Sequence, residues 1–263
     1  MFVLPNHWVS NPIRIVLAGA GGSGSEVLDG LARIDRALRA LGHPGFQMSV
    51  FDPDTVSTTN TVRQRFWPAD RGQNKAQLLM HRYGTFGGLS GRGYAEALTV
   101  AVLAAMPRVD LLVTCVDKAR VRREIGTHDW LLDPYRWRDT LWLDLGNGAR
   151  TGQVVLGHLA GWRADPARLP NVYDLFPELA QAERLDADDT PSCSAAEALA
   201  AQDLFINRWV AVAAADLLWQ LVRHGTIGVH GFFINPTGVR VRELAIDPRT
   251  WASFGLVAAR QAA

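Results

Sequence analysis

The chain has 263 residues, 48% hydrophobic and 20% charged, enough to bury a sizeable core and unlike a disordered or repetitive sequence. Its 27 Lys and Arg against 26 Asp and Glu leave a net charge of +1, so no global field draws it to nucleic acid or to an anionic membrane. Cys115 and Cys193 are too few for a disulfide framework or a four-cysteine zinc site. The start lacks a basic region ahead of an apolar run, and no apolar run is long enough to span a bilayer, so the expected location is cytoplasmic.

Residues 13–18 (IRIVLA) are apolar and β-branched and run straight into glycines, which predicts a buried strand ending in a tight turn. Val27, Leu28, Leu31, Ile34 and Leu38 carry a helical period over 25–41, which Gly42 and Pro44 end. A strand is predicted over 46–51 and a helix over 74–83. A buried strand over 110–116 leads into a polar helix from about Lys118, whose Arg120, Arg122 and Arg123 read as a solvated face. Strands over 141–145 and 153–159 follow. This alternation indicates βαβ units, hence an α/β fold with a mainly parallel sheet and flanking helices. Segment 169–192 holds three prolines, a DADD cluster and little periodicity, which predicts a long loop serving as lid, binding loop or linker. An Ala-rich helix is predicted over 195–223, then strands over 230–234 and 239–244 around an Asn235-Pro236-Thr237-Gly238 turn. The seven histidines show no H-x-x-x-H pair and read as structural or surface residues.

Gly19-Ala20-Gly21-Gly22-Ser23-Gly24 lies between the first strand and the first helix, the context in which G-x-G-x-x-G has meaning. Gly19, Gly21, Gly22 and Gly24 allow close approach to a phosphate, and the helix N-terminus offers unpaired N–H groups. Asp52 ends the second strand, where an acid bonds ribose hydroxyls. NAD, FAD and ATP all remain open on these grounds. The stretch 52–75, DPDTVSTTNTVRQRFWPADRGQNK, favours a triphosphate. Arg63 as a fork and Lys75 as a point charge can balance phosphate, with Asn60 and Gln64 as neutral partners. Asp117 falls at the carboxyl edge of the sheet, where open α/β sheets bind ligands, and a carboxylate there can hold Mg2+.

The succession G-x-G-G-x-G, D-x-D-x-V-S-x-x-N-x-x-R-Q, G-Q-x-K and an Asp at a strand end resembles the adenylating domain of the ThiF/MoeB and ubiquitin-activating superfamily, most closely over residues 13–160. The resemblance implies one Rossmann-like domain over 1–263, with a nucleotide-binding core at 13–160, a crossover loop at 169–193 and a C-terminal helix and strands at 194–263. It implies that ATP and Mg2+ are used, that Asp52 binds the ribose and that Asp54 and Gln64 belong to the ATP set. Asn60, Arg63 and Lys75 would contact the phosphates, Arg63 and Lys75 stabilising the reacting α-phosphate, and Asp117 would hold Mg2+. The superfamily adenylates the C-terminal glycine of a ubiquitin-fold protein and releases pyrophosphate.

The chain departs from that pattern at Lys118, where many members carry Asn, and in lacking paired C-x-x-C motifs, so no zinc is expected. An arginine that many members send from an N-terminal helix into the partner subunit's site has no counterpart ahead of the first strand; it is expected to be missing, replaced or supplied by another chain. The late segment, LFPE at 175–178 through DDTPSCSAAEALAAQDLFINRW, is similar to the ThiF-family proteins of bacterial PRTRC gene systems. Those systems also encode a ubiquitin-like protein and a conjugating-enzyme-like protein, which the resemblance makes the expected partners. It also implies a homodimer paired through sheet-flanking helices.

Cys193 precedes a predicted helix, whose dipole favours thiolate. By the resemblance it would take the activated glycine as a thioester, with Asp186, Asp188 and Asp189 opposing the thiolate. Cys115, inside an apolar strand, reads as core. Three alternatives stay open: an NAD-dependent oxidoreductase, a ThiF-fold adaptor without catalysis, and adenylation of a small molecule or tRNA base.

Overall fold

A computed structural model describes residues 1–187 and 202–257, so Asp188, Asp189 and Cys193 lie outside the described residues. In chain order the first half forms β1 (Phe2–Val3), β2 (Ile13–Ala18), α1 (Gly22–Ala40), β3 (Phe46–Phe51), α2 (Asn60–Arg63), α3 (Lys75–Gly87), β4 (Ser90–Tyr94), α4 (Val100–Ala105), β5 (Leu111–Thr114) and α5 (Ala119–Thr127). The second forms α6 (Pro134–Trp137), β6 (Leu141–Asn147), β7 (Gly152–His158), α7 (Gly161–Ala164), α8 (Val172–Leu175), α9 (Ala182–Asp186), α10 (Ile206–His224), β8 (Thr226–Ile227), β9 (Val229–Asn235), β10 (Arg240–Ala245) and α11 (Pro248–Ala252).

Eight strands make one sheet in the order β10-β9-β7-β6-β5-β2-β3-β4. From β6 to β4 all neighbours are parallel; β7, β9 and β10 are added antiparallel. The period-2 alternation of β2 divides its side chains between two cores. Ile13, Ile15 and Leu17 pack with Val27, Leu28 and Leu31 of α1 and with Val210, Leu217 and Leu221 of α10. Val16 and Ala18 face Leu103, Ile125, Trp130 and Trp142. The α1–α10 contact is close: a Cβ on Gly30 would lie 2.7 Å from that of Ala215. Among the described residues, no helix is long and apolar enough to cross a membrane.

Several elements differ from the sequence expectation. The strand predicted at 110–116 is only Leu111–Thr114, because buried Asp110 accepts from the Arg14 N–H at 2.8 Å and Cys115 already lies beyond the ladder, half-buried. Residues 169–187 are not an irregular loop. Asn171 caps α8, accepting from the N–H groups of Tyr173 and Asp174, while Asp174 accepts from the Asn171 N–H. Leu169, Val172, Leu175, Leu179 and Ala182 then enter the second core. These turns are each too short to show a period. The helix predicted from 195 starts at Ile206, after a non-helical 202–205; residues 195–201 lie outside the described part. The β4 sequence SGRGY has no strand pattern, yet its glycines fit a crowded edge: Cβ atoms on Gly91 and Gly93 would lie 2.2 Å from the Met48 carbonyl oxygen and 2.3 Å from that of Ala76.

Candidate active site

The glycine loop joins the C-terminal end of β2 to α1, and its glycines answer to different demands. Gly19 has φ +89°, and a Cβ there would lie 2.6 Å from the Cys115 carbonyl oxygen. A Cβ on Gly24 would sit 1.9 Å from the Gly19 carbonyl oxygen, and one on Gly22 would sit 2.6 Å from the Asn207 amide. Gly21 is unlike these three: the nearest atoms to its Cβ position belong to the Gln64 amide, 3.8 Å away. Packing inside the chain therefore does not require a glycine at 21, whereas a ligand approaching the backbone would. The first turn of α1 has no side-chain cap and no acidic residue, which leaves its N–H groups and partial positive charge for an anion.

Asp52 is buried just past β3. Its Oδ2 accepts from the Ala20 N–H at 2.6 Å and its Oδ1 from the Asp54 N–H at 2.9 Å. The acid thus ties the second strand to the glycine loop and retains lone pairs for hydroxyls. Burial pushes its carboxyl above the ordinary value, opposed by those two backbone bonds and by Lys75. Lys75 is buried at the start of α3, with Nζ 2.9 Å from Oδ2 of the exposed Asp54. Asn74 organises this turn. It caps α3 by accepting from the Gln77 N–H, and its amide donates to the carbonyl oxygens of Asp52 and Asp54.

Across the cavity, a chain of amides links the loop to α10. Ser23 and Asn147 donate to Oδ1 of Asn207 at 3.0 and 2.7 Å; the Asn207 amide donates to Oε1 of Gln202 at 3.0 Å; Arg63 Nη1 donates to the same oxygen at 2.5 Å. Buried Arg63 Nε and Gln64 Oε1 have no partner among the described residues. A buried guanidinium nitrogen with an unused proton is costly, and a phosphate oxygen would satisfy it. Ser23 lies in the glycine loop and Gln202 and Asn207 in the late segment, but no local pattern shows that they meet one another and Asn147 of β6.

These groups enclose a cavity of about 500 Å3, lined by Gly19, Gly21, Gly22, Asp52, Asp54, Arg63, Gln64, Lys75 and Asp117 together with the amide chain. That size suits a nucleotide-sized ligand. Among the described residues the predicted set converges here with two exceptions, while Cys193 lies outside them. Gly24 acts through packing, and Asn60 does not line the cavity; its Oδ1 accepts from the Ser57 N–H at 3.0 Å, shaping the turn before α2. Asp117 is exposed in the loop after β5. No group of three or more His, Cys, Asp or Glu could hold a metal among the described residues. A single carboxylate nevertheless suits Mg2+, which commonly takes its other ligands from phosphate and water. Cys115 lines the cavity, but burial raises its thiol well above the usual range, so it stays protonated.

A second cavity, of about 880 Å3, opens from the first through Val116, Asp117, Asn147 and Gln202, which line both. Its floor is the antiparallel end of the sheet and its roof includes Leu179, Leu185 and Asp186. Asp186 accepts from the N–H groups of Ala119 and Arg120, holding α9 to the start of α5. The arginine run on α5 is not uniformly solvated. Arg122 is buried, with Nε 2.8 Å from Oδ1 of fully buried Asp144 and Nη2 3.1 Å from the Leu145 carbonyl oxygen. Arg123 pairs with Glu183 and Arg120 with Glu124.

The ThiF family model matches residues 10–129. No curated protein matches the chain significantly in sequence. Among solved structures, E. coli MccB is similar with a TM-score of 0.59 at 16% identity, over 91% of this chain and 64% of that one. E. coli MccB with AMPCPP and MccA gives 0.58 at 16%, over 89% and 64%. PaaA gives 0.57 at 13%, also over 89% and 64%. The chain spans just under two thirds of the length of these proteins, and at such identities the likeness is one of fold.

Proposed function

We propose that this chain, a ThiF-family sequence over residues 10–129, is an ATP-dependent adenylating enzyme that activates the C-terminal carboxylate of a peptide or protein. The observation that carries the reading is the buried Arg63 Nε, without a partner among the described residues, set beside Lys75 and the open face of Gly21 in one nucleotide-sized cavity. The comparison structures include MccB with ATP and MccB with AMPCPP and MccA, which fits a nucleotide and a second substrate meeting on this fold.

In this reading Asp52 takes the ribose hydroxyls and the N-terminus of α1 takes phosphate oxygens. A carboxylate oxygen of the substrate attacks the α-phosphorus. The new O–P bond forms as the bond to the bridging oxygen breaks, and pyrophosphate leaves with the electron pair. Arg63 and Lys75 stabilise the charge that builds on the α-phosphate, and Gln202 and Asn207 hold the Arg63 fork in place. Mg2+ held by Asp117 would neutralise charge on the departing pyrophosphate. Arg63→Ala or Lys75→Ala should lower ATP–pyrophosphate exchange by about 10²–10³-fold, as removal of one transition-state donor does. Calorimetric binding of NAD without binding of ATP would turn the reading to the oxidoreductase alternative.

The finer reading is that the substrate is a ubiquitin-like protein ending in glycine, that a conjugating-enzyme-like protein follows it, and that Cys193 takes the acyl group. Its thiolate would attack the acyl carbon of the adenylate, forming a C–S bond as AMP leaves. Cys193→Ala should keep pyrophosphate exchange and lose any conjugate sensitive to reducing agent; a surviving thiol-sensitive band removes Cys193 from the reaction. A homodimer belongs to the same reading, supported by Trp209 and Val212, exposed on α10. A monomer in sedimentation at micromolar concentration would exclude it.

A further inference from the structure

The second cavity leads away from the nucleotide site along a single row of the sheet. Gly146 on β6 pairs with Gln153 on β7, Gln153 with Phe233 on β9, and Phe233 with Arg242 on β10. All four line the cavity, so its floor runs from beside Asn147, which also lines the nucleotide site, to the edge strand. Three strand spacings of about 4.8 Å make that path about 14 Å long.

The charge along the path is asymmetric. At the near end stand Asp117 and Asp186, the latter bonded to the N-terminus of α5, and Arg122, neutralised by Asp144. At the far end Arg240 and Arg242 flank Val241, line the cavity and are exposed. Neither guanidinium has a hydrogen-bond or ion-pair partner among the described residues. Arg240 and Arg242 share one face of the strand, and Glu243 does not line the cavity. Two unpaired guanidinium groups at the mouth of a channel form a fork-shaped receptor for carboxylate.

We propose that Arg240 and Arg242 select substrates carrying an acidic side chain upstream of the activated carboxylate. An extended chain advances about 3.4 Å per residue, so a tail with its carboxyl end beside Asn147 presents a residue about four positions earlier to this pair. The substrate class is therefore an extended C-terminal tail with Asp or Glu at about the fourth or fifth position from its end. The proposal rests on carboxylate activation at the neighbouring site, and its test is independent of that chemistry.

The probes are N-terminally labelled heptapeptides of Ala and Ser ending in Gly, with one Asp moved through the positions. Fluorescence anisotropy without nucleotide reads their binding, and calorimetry reads ATP separately. Asp about four positions from the end should tighten binding about tenfold over the neutral peptide and over Asp elsewhere. Arg240→Glu with Arg242→Glu should transfer the preference to Lys at that position, and Arg240→Lys with Arg242→Lys should retain much of the preference for Asp. Equal binding of acidic and neutral peptides, a preference untouched by charge reversal, or no peptide binding overturns the proposal, even where ATP binds normally. Selection of the acidic peptide by a protein that fails to bind ATP upholds the tail site and removes the nucleotide reading instead.

Discussion

The parallel and antiparallel halves of the sheet assemble their polar groups in opposite ways. On the parallel side, Asp52, Asp54, Arg63, Gln64, Asn74 and Lys75 come from one run of 24 residues between β3 and α3, and local turns deliver them to the glycine loop. On the antiparallel side, the second cavity draws on Asn147, Gln153, Phe233, Arg240 and Arg242, separated by up to 95 positions and united only by strand register. Chemistry that needs a fixed constellation is encoded in a short motif. In the proposed reading, recognition of a tail is spread over a surface, where each residue can change without disturbing the others.

The seam between the halves is β6, parallel to β5 and antiparallel to β7, and it carries the buried Arg122–Asp144 pair. Arg122→Leu leaves Asp144 buried and uncompensated, with Oδ2 already lacking a partner among the described residues. A loss of about 3–5 kcal/mol in urea unfolding is expected. A loss below about 1 kcal/mol would show that the two halves do not depend on this joint.

Acid should act on the antiparallel half. His158 on β7 and His230 on β9 both have pKa values lowered from 6.5 to about 4. Burial is the main cause for each, reinforced at His158 by Arg168. His230 is held neutral between the Leu156 carbonyl and the Trp251 indole N–H, which donates to Nε2 at 2.9 Å. Between pH 6.5 and 4 the unfolded chain binds more protons at these positions than the folded one, so stability is complete above that window and falls as pH drops through it. Each histidine should remove about 2 kcal/mol between pH 7 and 5. Urea midpoints across that range check this, and a His230→Gln variant should show a shallower slope. Asp52, raised by burial, works in the opposite sense, since its protonation relieves a buried charge.

The smallest expected effect sharpens the contrast on the parallel side. Gly22→Ala places a methyl 2.6 Å from the Asn207 amide, where α1 meets α10. A cost of about 1–3 kcal/mol is expected by urea unfolding, with weaker ATP binding by calorimetry as the amide chain to Arg63 is displaced. Unchanged stability and ATP affinity together would mean that the amide chain does not organise the nucleotide cavity.

By itself the sequence determined the strands and helices whose periods run long enough to read, such as β2, β3 and α1, and the glycine loop, acid and cations that travel in one contiguous string. Local dihedral preference, burial period and turn chemistry act over a few residues, and those are the scales on which a sequence is legible. Only the tertiary structure decided that Arg122 is buried against Asp144, that 169–187 is packed rather than loose, and that Asn60 stays off the cavity wall. It alone joined Ser23, Asn147, Gln202 and Asn207 into one chain of hydrogen bonds and placed Arg240 and Arg242 at the far end of a row beginning beside Asn147. Each outcome depends on which strand pairs with which and on how helices cross the sheet. Those contacts form between residues far apart in sequence, so no local pattern records them.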